Sequence, residues 1–295
     1  MSGPNNNPPL RGELRFDEPL SAHTSWRVGG PARRFYRPAD AQDLVVFLRG
    51  LDPTEPVLWI GLGSNLLVSD AGFDGTVIQT QGRLDALERV GEVGMRAESG
   101  VSCAKAARFA ARAGLSGIEF LAGIPGTIGG ALAMNAGAYG GEIWARATRV
   151  HTLDRCGCVR ERPATDYRIG YRQVEGPPGE WFLDVELELE PGDPAQGLER
   201  IRELLEQRGR SQPIGLPSCG SVFRNPPGDH AARLIEAAGL KGLREGGAQV
   251  STKHANFIIN TGGASSRDIA RLIERVQAEV EQRSGVRLLP EVRRI

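Results

Sequence analysis

Ser221 lies in the stretch LPSCGSVFRNPPGDH, Leu216–His230, between a glycine and an apolar pair. A serine can attack a substrate, give it a proton, or simply close a turn. Attack needs an activating base and the sharp turn that the pattern GxSxG marks. Here Phe223 stands where the second glycine belongs, and His230 has no special claim as a base. A turn serine that hydrogen-bonds its own backbone remains open from these residues alone.

Two glycine turns form the next candidate. GLGSNLL (Gly61–Leu67) follows an apolar run, and GIPGTIGG (Gly123–Gly130) precedes ALAMNAGAYGGE. Backbone N–H groups left free at such turns bind anions, and glycine lets a pyrophosphate approach the main chain. Neither turn has the GxGxxG spacing of a Rossmann site. Leu66 replaces the third glycine of the first turn, and the second is spaced GxxGxxG. Either could be only a turn; two in one region favour a dinucleotide. Further charged groups stand in DYRIGYR (Arg168 and Arg172), in LLPEVRRI (Glu291), and in VSTKHANFIIN (Lys253, His254 and Asn256). Arginines beside tyrosines also serve as surface residues, and a charged chain end is normally solvated.

The elements that must position these groups are mixed. DAQDLVVFLRGL has Leu44, Phe47 and Leu48 on one helical face, and CAKAARFAARAGL is an Ala-rich helix ended by Gly114. Val57–Ile60 and Val77–Gln79 read as strands, and RLDALERVGEVGMRAES as a hairpin. Pro125 and its neighbouring glycines exclude a continuous helix there, leaving a loop and a short helix from Thr127. In EWFLDVELELE, Leu183, Val185, Leu187 and Leu189 alternate with acids, so one face is buried and one wet. Asp193 and Pro194 open a helix carrying Leu198, Ile201, Leu204 and Leu205. Ser265 and Asp268 have capping-box spacing ahead of a stripe of Ile269, Leu272, Ile273, Val276 and Val280. Strands and helices do not alternate strictly, so the fold class is α+β, with a domain boundary near Asp193.

Composition narrows the function. Lys+Arg and Asp+Glu are equal at 36 each in 295 residues, which gives no electrostatic footprint for nucleic acid. Four cysteines are no disulfide framework in so long a chain, and the spacing of Cys156 and Cys158 is wrong for a CxxC motif. They read as ordinary buried thiols. Residues 1–14 read as a disordered tail, and no apolar run suits a signal peptide or a membrane span. A cytoplasmic protein without a metal is the expectation.

Taken in order, HTSWRVGGPA, GLGSNLLVSDAGFDGTVI, AGIPGTIGGALAMNAGAYGGE, YR, SCGSVFRNP, VSTKHANFIIN and PEVR run from about His23 to Arg293. That series resembles the UDP-N-acetylenolpyruvoylglucosamine reductase (UDP-N-acetylmuramate dehydrogenase) family, in its shorter form without the extra tyrosine-bearing loop. The resemblance implies a two-subdomain FAD-binding region of the vanillyl-alcohol-oxidase type (15–80 and 81–192), followed by an α+β substrate domain (193–295). It implies non-covalent FAD held by Gly61, Gly63, Ser64, Asn65, Gly123, Pro125, Gly126, Ile128, Gly129, Gly130, Asn135, Ala136 and Gly137. The implied partners are NADPH and a UDP-sugar enolpyruvyl ether, with no nucleic acid and no membrane. NADPH would reduce the flavin. Flavin N5 would then pass hydride to the vinyl carbon of the substrate, giving UDP-N-acetylmuramate for peptidoglycan. Ser221 would protonate the enol intermediate. Arg168 would hold its carboxylate, and Glu291 would face the same group, donating in its protonated form. Arg224, Asn225, Lys253 and His254 would meet the UDP and sugar.

Gly170 departs from the family, which has serine two residues after that arginine, and the second Tyr-Arg makes Arg172 a competitor of Arg168. Two other readings stay open. Another FAD-dependent oxidase of the same fold would need neither GSVFRNP nor PEVR. A non-catalytic nucleotide-binding module would purify without colour.

Overall fold

A computed structural model describes residues 8–295 and divides them into two compact units, each described by itself. The first comprises residues up to Phe16, Arg34–Gly61 and Gly75–Ile201; the second comprises Asp17–Arg33, Leu62–Asp74 and Arg202–Ile295. The stretch 15–80 is thus shared between them, and the division near the C-terminal third falls inside a helix, α4 (Pro194–Ser211). Asp193 Oδ1 accepts from the Gln196 N–H at the start of α4.

The first unit holds most of a four-stranded sheet ordered Glu13–Pro19, Pro31–Arg37, Phe73–Gln79, Val57–Ile60, with the last two strands parallel. Helix α1 (Ala41–Arg49) buries Leu44, Phe47 and Leu48, as its periodicity requires. Of the tail expected over 1–14, residues 1–7 lie outside the described residues. Arg11 donates its N–H to Asp43 Oδ1 (2.7 Å) and its guanidinium to Asp40 Oδ1 (2.7 Å), and Glu13 and Leu14 belong to a strand. Asp43 is buried and also accepts from Tyr36 Oη (2.5 Å) and the Ala39 N–H (2.9 Å). Burial opposes its ionisation, but these donors outweigh burial and hold the carboxyl below its ordinary value. Asp43→Ala leaves three donors without their acceptor and should lower unfolding stability by about 3 kcal/mol, read from the urea midpoint.

A second, five-stranded antiparallel sheet runs Val159–Pro163, Ala147–Asp154, Glu180–Glu188, Gly94–Glu98, Leu87–Val90. The last pair is the expected hairpin. Along Glu180–Glu188 the leucines and Val185 are buried, yet Asp184 on the opposite face is only 5% exposed. Arg96 (2.7 Å) and His151 (2.7 Å) cover it, so an alternating acid is not always a wet one. Cys156 and Cys158 are exposed rather than buried. They sit at the Ala147–Asp154/Val159–Pro163 hairpin tip, where Asp154 Oδ1 accepts both their N–H groups. A small apolar side chain goes inside only if its backbone does, and a hairpin tip does not. Helices α2 (Cys103–Arg112) and α3 (Ile128–Met134) belong to the same unit.

In the second unit a three-stranded antiparallel sheet, Arg244–Glu245, Ala248–Val250, Ile258–Asn260, joins α5 (Ala231–Ala237) and α6 (Ser266–Ser284). The α6 stripe, Trp26, Phe223 and Val222 share one core. The predicted capping box is present: Ser265 Oγ accepts from the Asp268 N–H (3.1 Å), and Asp268 Oδ2 from the Ser265 N–H (3.0 Å). No helix among the described residues is long and apolar enough to cross a membrane. Helices and strands in this order make the fold α+β.

Candidate functional site

In the first unit the second glycine turn is built from a short 3-10 turn, Glu119–Gly123, an interruption at Pro125, and α3 capped by Thr127. The Ile128 and Gly129 N–H groups bond the carbonyls of Val101 (2.8 Å) and Ser99 (2.9 Å), fixing the turn to the preceding strand and loop. Gly61 meets this turn directly: a Cβ placed on it would lie 2.3 Å from Thr127 Oγ1. A Cβ on Gly130 would meet only that same oxygen, at 3.7 Å, so no side chain crowds the main chain there. Pro125 and Gly130 are exposed, and Gly126 is half-buried.

Asn135 ends α3 in the left-handed conformation (φ 46°) and is fully buried. Its Nδ2 donates to Glu142 Oε2 (2.7 Å) and to the Gly170 carbonyl (3.1 Å). Ala136 N–H bonds the Ala131 carbonyl (2.9 Å). The two Tyr-Arg arginines sit on one small hairpin, Arg168–Gly170 against Gln173–Glu175, but face different surroundings. Arg168 is 86% exposed and reaches Glu175 at 3.5 Å. Arg172, at φ 54°, turns back onto α3's end, donating Nη2 to the Gly137 carbonyl (2.8 Å) and Nη1 to that of Asn135 (3.3 Å). The structure therefore holds Arg172 against the C-terminal end of α3 and leaves Arg168 in solvent.

The second unit gathers the other candidates. The chain around Ser221 runs antiparallel to the C-terminal segment: Phe223 pairs with Pro290, the Glu291 N–H donates to the Val222 carbonyl (2.7 Å), and the Arg224 N–H to that of Leu289 (2.9 Å). Glu291 thus pairs with Val222, the residue after Ser221, and Ser221 and Glu291 are both half-buried. The first glycine turn joins them. Asn65 Nδ2 donates to the Glu291 carbonyl (3.1 Å), and Arg293 N–H to that of Asn65 (3.0 Å). Gly63 has φ +66° and a Cβ there would sit 2.0 Å from the His23 carbonyl oxygen, so only glycine fits. Ser64 is half-buried beside it. Cys219 now has a role: buried, with its thiol pushed up to about 12 by burial, it lies 3.6 Å from the Leu66 carbonyl and 3.8 Å from that of Gly63. It packs the serine loop on the glycine turn.

The remaining candidates differ among themselves. Arg224 Nε is buried and meets no acceptor among the described residues, as does His254 Nδ1. Burial, then the nearby Lys241 cation, holds His254 below its ordinary value, so the ring is neutral at pH 7. Asn225 Oδ1 accepts from the Ala231 N–H (3.0 Å) at the start of α5, and exposed Lys253 reaches the Gly209 carbonyl (2.5 Å). No metal-like cluster of His, Cys, Asp and Glu occurs among the described residues. Two residues make contacts that the motifs do not mark: Thr127, against which Gly61 lies, and Asn256, which bonds the Phe223 main chain on both sides. Neither contact leaves a signal in linear spacing.

Two family models match the chain: one described as FAD binding domain over residues 32–161, and one as UDP-N-acetylenolpyruvoylglucosamine reductase, C-terminal domain, over residues 212–295. A protein of Alkalilimnicola ehrlichii named UDP-N-acetylenolpyruvoylglucosamine reductase is 64% identical over 281 residues, 95% of this chain and 94% of its own. One of the same name from Methylococcus capsulatus is 58% identical over 285 residues, 97% and 94% of the two chains. The crystal structure of UDP-N-acetylenolpyruvylglucosamine reductase (MurB) from Thermus caldophilus matches with a TM-score of 0.83 at 35% identity, covering 96% of this chain and 98% of that one.

Proposed function

The chain belongs to the UDP-N-acetylenolpyruvoylglucosamine reductase family, and from that premise we propose how its own residues carry the family's reaction. The activity itself follows from membership: an FAD oxidoreductase that reduces UDP-N-acetylenolpyruvoylglucosamine with NADPH in peptidoglycan synthesis. Neither an oxidase of other specificity nor a non-catalytic module accounts for that membership. NADPH and a UDP-sugar are cytoplasmic metabolites, which places the reading in the cytoplasm. Balanced charge gives no reason to add a nucleic-acid partner.

The residues present fit the cofactor. Main chain around Gly130 is open to a ligand, and Gly61 is pressed on Thr127 where any side chain would intrude. Gly61, Gly63, Ser64 and Asn65 from one turn, and Gly123, Pro125, Gly126 and Ile128–Gly130 with Asn135–Gly137 from the other, would hold FAD. Bound FAD supplies the hydride, received from NADPH, that adds to the vinyl carbon of the substrate.

Once hydride has added, an electron pair is left on the carbon next to the carboxylate and spreads into it. Two tasks then fall to the protein. A fixed cation must meet the growing charge, and a proton must reach that carbon. Arg172 suits the first, because its guanidinium is already held by the Asn135 and Gly137 carbonyls and needs little rearrangement. The geometry thus favours Arg172 over Arg168, whose charge is solvated. Ser221 suits the second. A hydroxyl is a weak acid, but the carbanion is a strong base, and positioning replaces acid strength. The observation that carries this reading is the bond from Glu291 N–H to the carbonyl of Val222, the residue that follows Ser221. Ser221 gives its proton to carbon and recovers one from water, while Glu291 faces the substrate carboxylate. Arg224, with its Nε open, would take a phosphate oxygen; neutral His254 would serve as a hydrogen-bonding group, and Asn225 and Lys253 would line the same region.

The cofactor cradle has its own test. Gly61→Val places a side chain into Thr127, and the purified variant should lose its flavin colour while keeping its far-ultraviolet circular dichroism. Full retention of flavin would remove Gly61 from the cradle.

A further inference from the structure

We propose that Asn256 is a positioning residue for Ser221, acting on the reaction through the main chain of Val222 and Phe223. The inference rests on the reading of Ser221 as proton donor. Asn256 is 3% exposed and stands two residues before the strand Ile258–Asn260. Its main-chain carbonyl accepts the Val222 N–H (2.9 Å). Its side chain then grips the next residue twice: Oδ1 accepts the Phe223 N–H (3.0 Å), and Nδ2 donates to the Phe223 carbonyl (2.8 Å). With the Glu291 N–H on the Val222 carbonyl (2.7 Å), every main-chain donor and acceptor of Val222 and Phe223 is used.

Phe223 has only a single isolated bridge, to Pro290, so no regular ladder defines the peptide planes after Ser221. The Asn256 carboxamide stands in for the missing strand. A carboxamide offers an acceptor and a donor side by side at the spacing of a peptide group, and does so at any pH. The flipped amide would set donor against donor and acceptor against acceptor, so its orientation is fixed. Val222 and Phe223 already anchor the segment through side chains in the core, at 1% and 2% exposure. What the clamp adds is rotation: it sets the peptide planes that follow Ser221, and with them the direction of the Ser221 hydroxyl. The same clamp also fixes the peptide leading into Arg224, so the Ser221→Ala background is what separates an effect through Ser221 from one through its neighbour.

The test is a double-mutant cycle on the full-length holoenzyme, comparing wild type, Ser221→Ala, Asn256→Ala and the double variant. Each is bleached by NADPH without oxygen, then mixed with UDP-N-acetylglucosamine enolpyruvate, and the return of colour is timed. Asn256→Ala should bleach normally, bind the substrate normally in the oxidised state, and recolour about a hundredfold more slowly, the cost of a displacement near 1 Å. Added to Ser221→Ala, the same change should cost less than about threefold, because coupled residues do not add. Asn256→Asp keeps the size and one acceptor, and carries the test if the alanine variant does not hold flavin. It should recover rate relative to wild type as pH falls, since only its protonated form donates to the Phe223 carbonyl. A full hundredfold loss in the Ser221→Ala background, with Ser221→Ala itself slow, would overturn the positioning role alone. A Ser221→Ala enzyme that recolours at the wild-type rate would overturn the proton-donor reading, and the positioning role with it.

Discussion

Arg172→Ala should slow formation of UDP-N-acetylmuramate by about a thousandfold, the scale of a lost preorganised oxyanion partner, while Arg168→Ala stays within about threefold of wild type. The argument is one of cost. Electron density moving into the substrate carboxylate needs a cation that is already in place. Arg172 is: two carbonyls of the α3 end hold its fork. Arg168 would first have to leave water and give up Glu175, and exposed pairs of that kind contribute little. The two arginines lie four residues apart on one hairpin, so a general disturbance of the hairpin would affect both variants alike. Steady-state turnover with saturating NADPH reads the ranking. Bleaching by NADPH is the control: if Arg172→Ala fails to bleach, the arginine serves the cofactor turn rather than the substrate. Arg172→Lys should not rescue turnover, because an ammonium lacks the planar fork. A severe Arg168→Ala beside a mild Arg172→Ala would return the role to Arg168.

Ser221→Ala should lower product formation by about a thousandfold, within the range ascribed to a positioned acid. Removing one oxygen leaves Val222 and Phe223 in the core and leaves the Glu291 and Asn256 bonds to their main chain intact. The structural cost is therefore small, and the loss reports chemistry. Without a proton source in contact, the carbanion formed by hydride addition reverts, and the substrate is released unchanged. Product formed by Ser221→Ala at the wild-type rate would mean that water or another side chain supplies the proton.

Much of the architecture was legible in the residues. Leu44, Phe47 and Leu48, the α6 stripe and the Ser265–Asp268 box are local patterns, and local patterns survive folding because neighbours in sequence supply their partners. The two glycine turns were legible for the same reason. What linear order could not convey was which surface each group meets. Arg168 and Arg172 have equivalent neighbours in sequence, and only the left-handed turn at Arg172 (φ 54°) separates their fates. Asp184 looked wet because alternation reports the face of a strand, and the ion partners Arg96 and His151 that cover it come from other strands. Cys219 gained its partner from a turn more than 150 residues away. Asn256 and Phe223 are 33 residues apart, and a side chain replacing a strand has no period to detect.

The central claim is that Ser221 serves the step after hydride transfer and no other. The most direct measurement bleaches wild type and Ser221→Ala with one equivalent of NADPH in the absence of oxygen, then adds the enolpyruvyl substrate and follows visible absorbance. Both proteins should bleach at the same rate, and wild type should recolour at once with one equivalent of UDP-N-acetylmuramate formed. Ser221→Ala should stay bleached on that timescale. Recolouring of the variant at the wild-type rate, with product formed, would contradict the account.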